Sequence, residues 1–120
     1  MGRAASRPLV LVVEDEPLLR MDAVDTIRAS GFDVLEASNA DEAILLLETR
    51  LDIELVFTDI DMPGSMNGIK LAHAVRNRWP PIRIVATSGH FVLRDGDLPP
   101  DVPFLSKPYT PRQIEKAFRL

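Results

Sequence analysis

Val56-Phe57-Thr58-Asp59-Ile60-Asp61-Met62-Pro63-Gly64 is the stretch of sequence on which the predicted fold depends. It continues an apolar run from Leu55 that has the composition of a buried strand. The run ends in carboxylates, and Met-Pro-Gly then stops the strand and turns the chain. Open α/β sheets bind ligands at the carboxyl ends of their strands, so Asp59 is a candidate functional acid. A solvated turn explains a lone aspartate equally well, and the other strand ends decide between the two explanations.

The composition is that of one globular domain. The chain has 120 residues, of which 46% are hydrophobic and 27% are charged, which suits a single core. The net charge of −4 argues against nucleic acid as a partner, because a phosphate-binding face needs clustered Lys and Arg. No apolar run is long enough to span a membrane and no signal peptide is visible, so a cytoplasmic location fits. Cysteine is absent, which excludes disulfides and thiolate metal sites.

Apolar runs typical of strands alternate with segments of helical spacing from residue 9 to residue 120. Strands are predicted at residues 9–13, 32–37, 53–58, 82–87 and 102–105. This alternation predicts an α/β fold: a (βα)5 doubly wound parallel sheet with right-handed crossovers and helices on both faces. Residues 1–8 are predicted to be a flexible N-terminal tail that precedes the single domain at residues 9–120.

The first helix is predicted to begin at Pro17, where a missing N–H costs little. Its apolar residues recur at helical spacing and predict a buried face made of Leu18, Met21, Val24 and Ile27.

Polar side chains stand at the ends of four of the five predicted strands. Glu14 and Asp15 follow the first strand, Asp59 the third, Ser88 the fourth and Lys107 the fifth. The carboxyl ends of parallel strands lie on one edge of a sheet, so these five side chains are expected to converge. Each has a simpler explanation as a cap, a turn or a solvated group, but their coincidence over four strands favours a functional site.

The chemistry of this set points to a hard cation and to phosphate. Three carboxylates in one place repel each other unless a cation compensates them. Oxygen ligands suit Mg²⁺, which takes few protein ligands and keeps waters. A carboxylate beside Mg²⁺ can attack phosphorus and form an aspartyl-phosphate. Mg²⁺, Lys107 and Ser88 could then hold the three phosphoryl oxygens.

Four motifs resemble those of the receiver domain of bacterial two-component response regulators, over about residues 9–120. They are Val12-Val13-Glu14-Asp15, Thr58-Asp59-Ile60-Asp61-Met62-Pro63, Thr87-Ser88-Gly89 and Lys107-Pro108. The resemblance implies a flavodoxin-like sheet in the strand order 2-1-3-4-5. It implies phosphorelay signal transduction by a phosphoacceptor regulator rather than an enzyme, with self-phosphorylation from small donors and self-dephosphorylation as side reactions.

The resemblance also implies how the acidic residues work. Asp59 would accept a phosphoryl group from a histidine kinase or a histidine phosphotransfer protein. Asp15 and Asp59 would bind Mg²⁺ directly, with the backbone carbonyl of Asp61 as a third ligand. Glu14 would act on the metal through water.

Further roles follow from the same resemblance. Lys107 would pair with the phosphoryl group, and Ser88 would move to donate a hydrogen bond to it. Phe104 stands where the family keeps a rotating aromatic, although a plain core side chain explains it equally well. Asp61 and His90 occupy the two positions that tune the phosphoryl lifetime.

The chain departs from the family pattern in two places. The family places a glycine eight residues after the phosphoacceptor, whereas Gly68 lies nine after Asp59, so we expect one extra loop residue, with Ser65 the candidate. Residues 90–101 contain one glycine and two prolines, so the fourth helix is expected to be short or disordered, with one turn near residues 91–94 at most. That helix belongs to the family's output and homodimer face, so output partner and homodimer stay open.

No effector segment follows the last helix, which predicts a single-domain regulator or a receiver cut from a longer hybrid protein.

Two other functions compete with phosphorelay. Asp59-Ile60-Asp61 resembles the nucleophile motif of haloacid-dehalogenase-type phosphatases, but those enzymes place it after their first strand and need a larger domain. A receiver-like adaptor that is never phosphorylated is the other, and the complete set of acidic residues, Ser88 and Lys107 argues against it.

Overall fold

A computed structural model describes residues 7–62, 67–89 and 93–119 of the chain. These ranges contain five strands and four helices: β1 (Leu9–Val13), α1 (Pro17–Ala29), β2 (Asp33–Ala37), α2 (Ala40–Thr49), β3 (Ile53–Asp59), α3 (Gly68–Arg78), β4 (Arg83–Ser88), β5 (Phe104–Ser106) and α4 (Pro111–Ala117). No helix in these ranges is both long and apolar enough to cross a membrane.

The five strands form one parallel sheet in the order β2-β1-β3-β4-β5. This order confirms the predicted flavodoxin-like topology. The register aligns the carboxyl ends of the central strands, because Val13 pairs with Thr58 and Asp59 pairs with Thr87. Residues that follow these strands therefore emerge side by side at one edge of the sheet.

Apolar side chains cover both faces of the sheet. On one face, α2 and α3 contribute Ala43, Leu47, Leu71 and Val75 to a buried cluster. On the other face, α1 and the segment around α4 contribute Val24, Ile27, Ile114 and Phe118. Because both faces are packed, the strands are held in fixed positions, and so are the residues at the strand ends.

The predicted apolar face of α1 is wrong in its first half. Val24 and Ile27 are buried, but Leu18 and Met21 are 75% and 60% exposed. Steps of three residues fall short of a full turn of about 3.6 residues. A stripe of such steps therefore drifts around the helix, and Leu18, nine residues before Ile27, lies on the opposite face.

The connection between β4 and β5 contains no helix among its described residues 93–103, which form turns. Residues 91–92 of the single predicted turn lie outside the described ranges. Two side chains of α3 hold the connection. The His73 Nε2 donates to the Asp97 carbonyl at 2.8 Å, and the Arg76 guanidinium pairs with the Asp101 carboxylate at 2.5 Å. The short connection is thus fastened to α3 at its later residues.

Arg7 and Pro8, which the sequence assigns to the tail, contact the region between α1 and β2. The Arg7 guanidinium donates to the carbonyls of Arg28 at 2.8 Å and Phe32 at 3.0 Å. The Pro8 carbonyl accepts from the Asp33 amide at 2.9 Å. The other tail residues lie outside the described ranges, and the boundary at residue 9 stays a prediction.

Candidate functional site

Three acidic side chains meet at the carboxyl edge of the sheet. Glu14 and Asp15 follow β1, and Asp59 is the last residue of β3, the strand beside it. One carboxylate oxygen from each of the three lies within 4.8 Å of the others. Glu14 and Asp59 are buried, at 5% and 3% exposure. The sequence order and the parallel register therefore bring together the three carboxylates that were predicted to converge.

The ammonium group of Lys107 compensates two of these carboxylates. Its Nζ lies 3.0 Å from the Glu14 Oε1 and 3.2 Å from the Asp59 Oδ2. The Lys107 backbone is fixed after β5, because its amide donates to the Ser88 carbonyl at 2.9 Å. The backbone amide of Lys107 thus binds β4, and its side-chain ammonium binds the acidic cluster.

Burial is the main electrostatic influence on Glu14. It raises the pKa of Glu14 from 4.5 to about 7, although hydrogen bonds from Lys107 and from the Glu16 amide act in the opposite direction. Burial alone would lower the pKa of Lys107, but the hydrogen bond to Glu14 and the charge of Asp59 raise it above its usual value. Near neutral pH, the cluster therefore holds a charged ammonium and a Glu14 that is easily protonated.

The raised pKa of Glu14 predicts a pH-dependent stability for the metal-free protein. A carboxyl group with a higher pKa in the folded chain binds more protons there, so the free energy of unfolding falls as pH rises between the two values. For Glu14 this pH window runs from 4.5, the usual pKa, to about 7, the pKa in the folded chain. The free energy of unfolding of Glu14→Gln, relative to that of wild type, is expected to rise by roughly 2 kcal/mol as the pH increases from 5 to 8. Urea denaturation at each pH measures this difference.

The exposed position Glu54 on β3 supplies the control for that experiment. Glu54→Gln also removes one carboxylate, but it leaves the acidic cluster intact. Stability curves of wild type and Glu14→Gln that run parallel across the pH range would contradict the prediction.

The oxygen atoms at this edge fit a hard divalent cation. A cavity of about 170 Å³ is lined by Glu14, Asp15, Asp59, Asp61 and Lys107, among other residues. Glu16 also lines this cavity, so five acidic side chains share it with one ammonium group and the site carries an excess of negative charge. Mg²⁺ prefers oxygen ligands and binds through few carboxylates. The donor set therefore suits Mg²⁺.

The Asp61 side chain accepts hydrogen bonds from residues at the end of β4. Its Oδ2 accepts hydrogen bonds from the Ser88 hydroxyl and from the Gly89 amide, the latter at 3.2 Å. The Asp61 amide donates to the Asp59 Oδ1 at 3.0 Å. Ser88 thus lies at the predicted edge of the sheet, but its hydroxyl is directed at Asp61.

The remaining predicted residues are less informative. Phe104 lies on β5, half-buried and paired with Ala86, and this position does not decide whether it rotates. His90 and the predicted extra loop residue Ser65 lie outside the described ranges.

Sequence reasoning missed three contacts at the site. Arg20 on α1 donates to the Glu14 carbonyl at 2.9 Å, which steadies the end of β1. The Gly89 amide donates a hydrogen bond to the Asp61 carboxylate. Gly68 contacts the backbone of Asp59, and a Cβ placed there would lie 2.1 Å from the Asp59 carbonyl oxygen. Only Gly68 carried a signal in the sequence, namely its spacing from Asp59.

Residues 10–119 match the family described as "Response regulator receiver domain". The chain belongs to this family. Receiver domains are phosphoacceptor regulators of two-component systems, and phosphorylation and Mg²⁺ are typical of them. Membership also argues against the haloacid-dehalogenase interpretation of Asp59-Ile60-Asp61.

Named relatives place the receiver domain inside longer proteins. This chain is 33% identical over 111 residues to the sensor kinase CckA of Brucella abortus (strain 2308), and the match covers 88% of this chain and 11% of CckA. It is 32% identical over 110 residues to the aerobic respiration control protein ArcA of Escherichia coli (strain K12), covering 89% of this chain and 45% of ArcA. The chain thus spans less than half the length of either relative.

A solved structure matches the whole fold. The response regulator receiver protein from Sinorhizobium medicae WSM419 superposes with a TM-score of 0.86 at 32% identity, covering 92% of this chain and 90% of that one. The receiver fold therefore extends over nearly all of the chain.

Proposed function

We propose that this receiver domain accepts a phosphoryl group on Asp59 in a Mg²⁺-dependent reaction and that the phosphoryl group switches a protein-binding surface. The donor would be a histidine kinase or a histidine phosphotransfer protein. One observation carries the proposal: the buried Asp59 carboxylate lies within 4.8 Å of two other carboxylates and 3.2 Å from the Lys107 ammonium. That arrangement combines a nucleophile, a cation site and a counter-charge for phosphate.

In the proposed reaction, a carboxylate oxygen of Asp59 attacks the phosphorus of a phosphohistidine. A P–O bond forms to Asp59 as the P–N bond breaks, and its electron pair stays on the imidazole nitrogen of the donor. The Lys107 ammonium lies 3.2 Å from the Asp59 Oδ2 and balances part of the negative charge at the reacting carboxylate. The same ammonium is placed to pair with a phosphoryl oxygen afterwards.

Asp15, Asp59 and the backbone carbonyl of Asp61 would hold Mg²⁺, with Glu14 acting through water, and the ion would supply positive charge that offsets the charge of the phosphoryl oxygens. The other proposed roles concern the response to phosphorylation. Ser88 would donate to the phosphoryl group, and Phe104 would rotate when Ser88 moves. Asp61 and His90 would set the lifetime of the phosphoryl group.

Intact-protein mass spectrometry tests the proposal. Wild type incubated with acetyl phosphate and Mg²⁺ is expected to gain one phosphoryl group, about 80 Da, as the covalent adduct of nucleophilic catalysis. Asp59→Asn and a metal-free sample are expected to show no gain. No adduct in wild type, even after a fast quench, would favour the adaptor that works without phosphorylation. An adduct that persists in Asp59→Asn would place the phosphoacceptor elsewhere.

A further inference from the structure

The Asp61 carboxylate holds two hydrogen-bond donors at the end of β4. Its Oδ2 accepts from the Ser88 hydroxyl and from the Gly89 amide at 3.2 Å. Its own backbone is tied to the phosphoacceptor, because the Asp61 amide donates to the Asp59 Oδ1 at 3.0 Å. Asp61 therefore links Asp59 to the end of the neighbouring strand through both its backbone and its side chain.

A phosphoryl group on Asp59 would need the same donors. It carries three oxygens that accept strong hydrogen bonds, and Lys107 supplies only one ammonium group. Strand β4 is adjacent to β3, with Thr87 opposite Asp59, so the donors that follow Thr87 lie at the same edge of the sheet as Asp59. Gly89 also lines the same cavity as Asp59 and Asp61. Two donors at this edge of the sheet are thus already bonded to Asp61.

We infer that the Asp61 carboxylate is an internal competitor of the phosphoryl group: it occupies the Ser88 and Gly89 donors until phosphorylation of Asp59 displaces it. The inference rests on the proposed function and adds a mechanism of regulation to it. The Asp61 carboxylate has a positioning role in this scheme, because it acts through Ser88 and Gly89, whereas the Asp61 backbone contacts Asp59 directly.

Electrostatics gives the exchange its direction. Hydrogen bonds to a carboxylate are among the strong ones, so the unphosphorylated protein keeps Ser88 on Asp61. A phosphoryl group brings a charge of about −1.5 to −2 into the same cavity. That charge repels the Asp61 carboxylate and attracts its two donors. Phosphorylation therefore moves Asp61 after β3 together with Ser88 and Gly89 at the end of β4.

A titration with beryllofluoride, a phosphoryl mimic, at saturating Mg²⁺ tests the inference. Binding is followed through the Gly89 amide resonance in wild type, Asp61→Ala, Ser88→Ala and the double variant. Asp61→Ala is expected to bind about tenfold more tightly than wild type, the scale of one charged hydrogen bond. In the Ser88→Ala background that gain is expected to shrink to a few-fold, because the two residues share one hydrogen bond.

Charge repulsion alone predicts a different pattern. Loss of the Asp61 charge would then tighten binding equally with and without Ser88, and an undiminished gain in the Ser88→Ala background overturns the inference. Unchanged or weaker binding by Asp61→Ala does so too. Asp61→Asn keeps an acceptor without the charge and is expected to show an intermediate affinity, which supplies the answer if Asp61→Ala folds poorly.

A measurement without metal or beryllofluoride separates this inference from the proposed function. The Gly89 amide of wild type is expected to be protected from hydrogen exchange, and Asp61→Ala is expected to lose that protection. Retained protection overturns the competitor role whatever the protein does with phosphate. Wild type that binds no beryllofluoride and forms no adduct instead overturns the proposed function.

Discussion

Gly68→Ala is expected to destabilise the domain by about 3 kcal/mol, the upper range for atoms forced into a packed site. An added Cβ would lie 2.1 Å from the Asp59 carbonyl oxygen and 2.5 Å from the Ile60 Cα. Both are backbone atoms, so no flexible side chain can give way. The first turn of α3 must then separate from the end of β3.

Helix propensity alone predicts the opposite sign. Alanine is favoured over glycine in a helix by roughly 0.5–1 kcal/mol, because glycine loses more conformational freedom on folding. At Gly68 this gain is outweighed by the clash with Asp59. Gly68 therefore lies against the backbone of Asp59 and Ile60, although its spacing from Asp59 is one residue longer than the resemblance leads us to expect.

Urea denaturation of the metal-free protein measures the effect, and Gly89→Ala is the matched control. Among the described residues, a Cβ at Gly89 would meet side-chain carbons of Lys107 at 3.7 Å, which is ordinary contact. We expect that control to change stability by less than about 1 kcal/mol. We also expect Gly68→Ala to form less acetyl-phosphate adduct, since its clash displaces the phosphoacceptor. Equal stability of the two variants would refute the steric argument.

Lys107→Met is expected to cost about 3–5 kcal/mol at pH 8 without metal, as when one partner of a buried ion pair is removed. The side chains of Glu14 and Asp59, its partners, are only 7% and 4% exposed. Methionine keeps the length and apolar volume of lysine, so the variant removes mainly the charge. Two nearly buried carboxylates then face each other without a cation.

The pH dependence of this loss has a definite sign. Without the ammonium group, the Glu14 carboxyl is still harder to ionise, and protonation relieves the repulsion. The loss is therefore expected to be smaller at pH 6 than at pH 8, and Mg²⁺ is expected to recover part of it. Lys70→Met, at an exposed position on α3, controls for the change of residue type. Equal losses at both pH values would contradict the account.

The sequence predicted the parts of the site that depend on strand order. Glu14, Asp15, Asp59 and Lys107 each follow a strand, and a parallel sheet aligns such positions whatever the helices do. The periodicity of α1 was less reliable, because apolar residues three apart drift around a helix and Leu18 came to face solvent.

Contacts between distant elements could not be predicted in the same way. The partner of the Asp61 side chain depends on a rotamer, and the strand pattern holds no information on it. The contact of Arg20 with the Glu14 carbonyl is equally hidden, since a charged residue on a helix is ordinarily solvated. Gly68 was found as a departure in spacing, but the close approach of two backbones that explains it exists only in three dimensions.

The ion pair between Lys107 and Glu14 joins positions 93 residues apart, which has a consequence for protein synthesis. A growing chain that has reached only β4 already holds the three carboxylates, but the cation that balances them has not been made. A proteolytic fragment that lacks β5 is in the same position. The acidic cluster therefore gains its cation only from the residue after the last strand. Under the proposed function, a chain that accepts a phosphoryl group has completed its sheet.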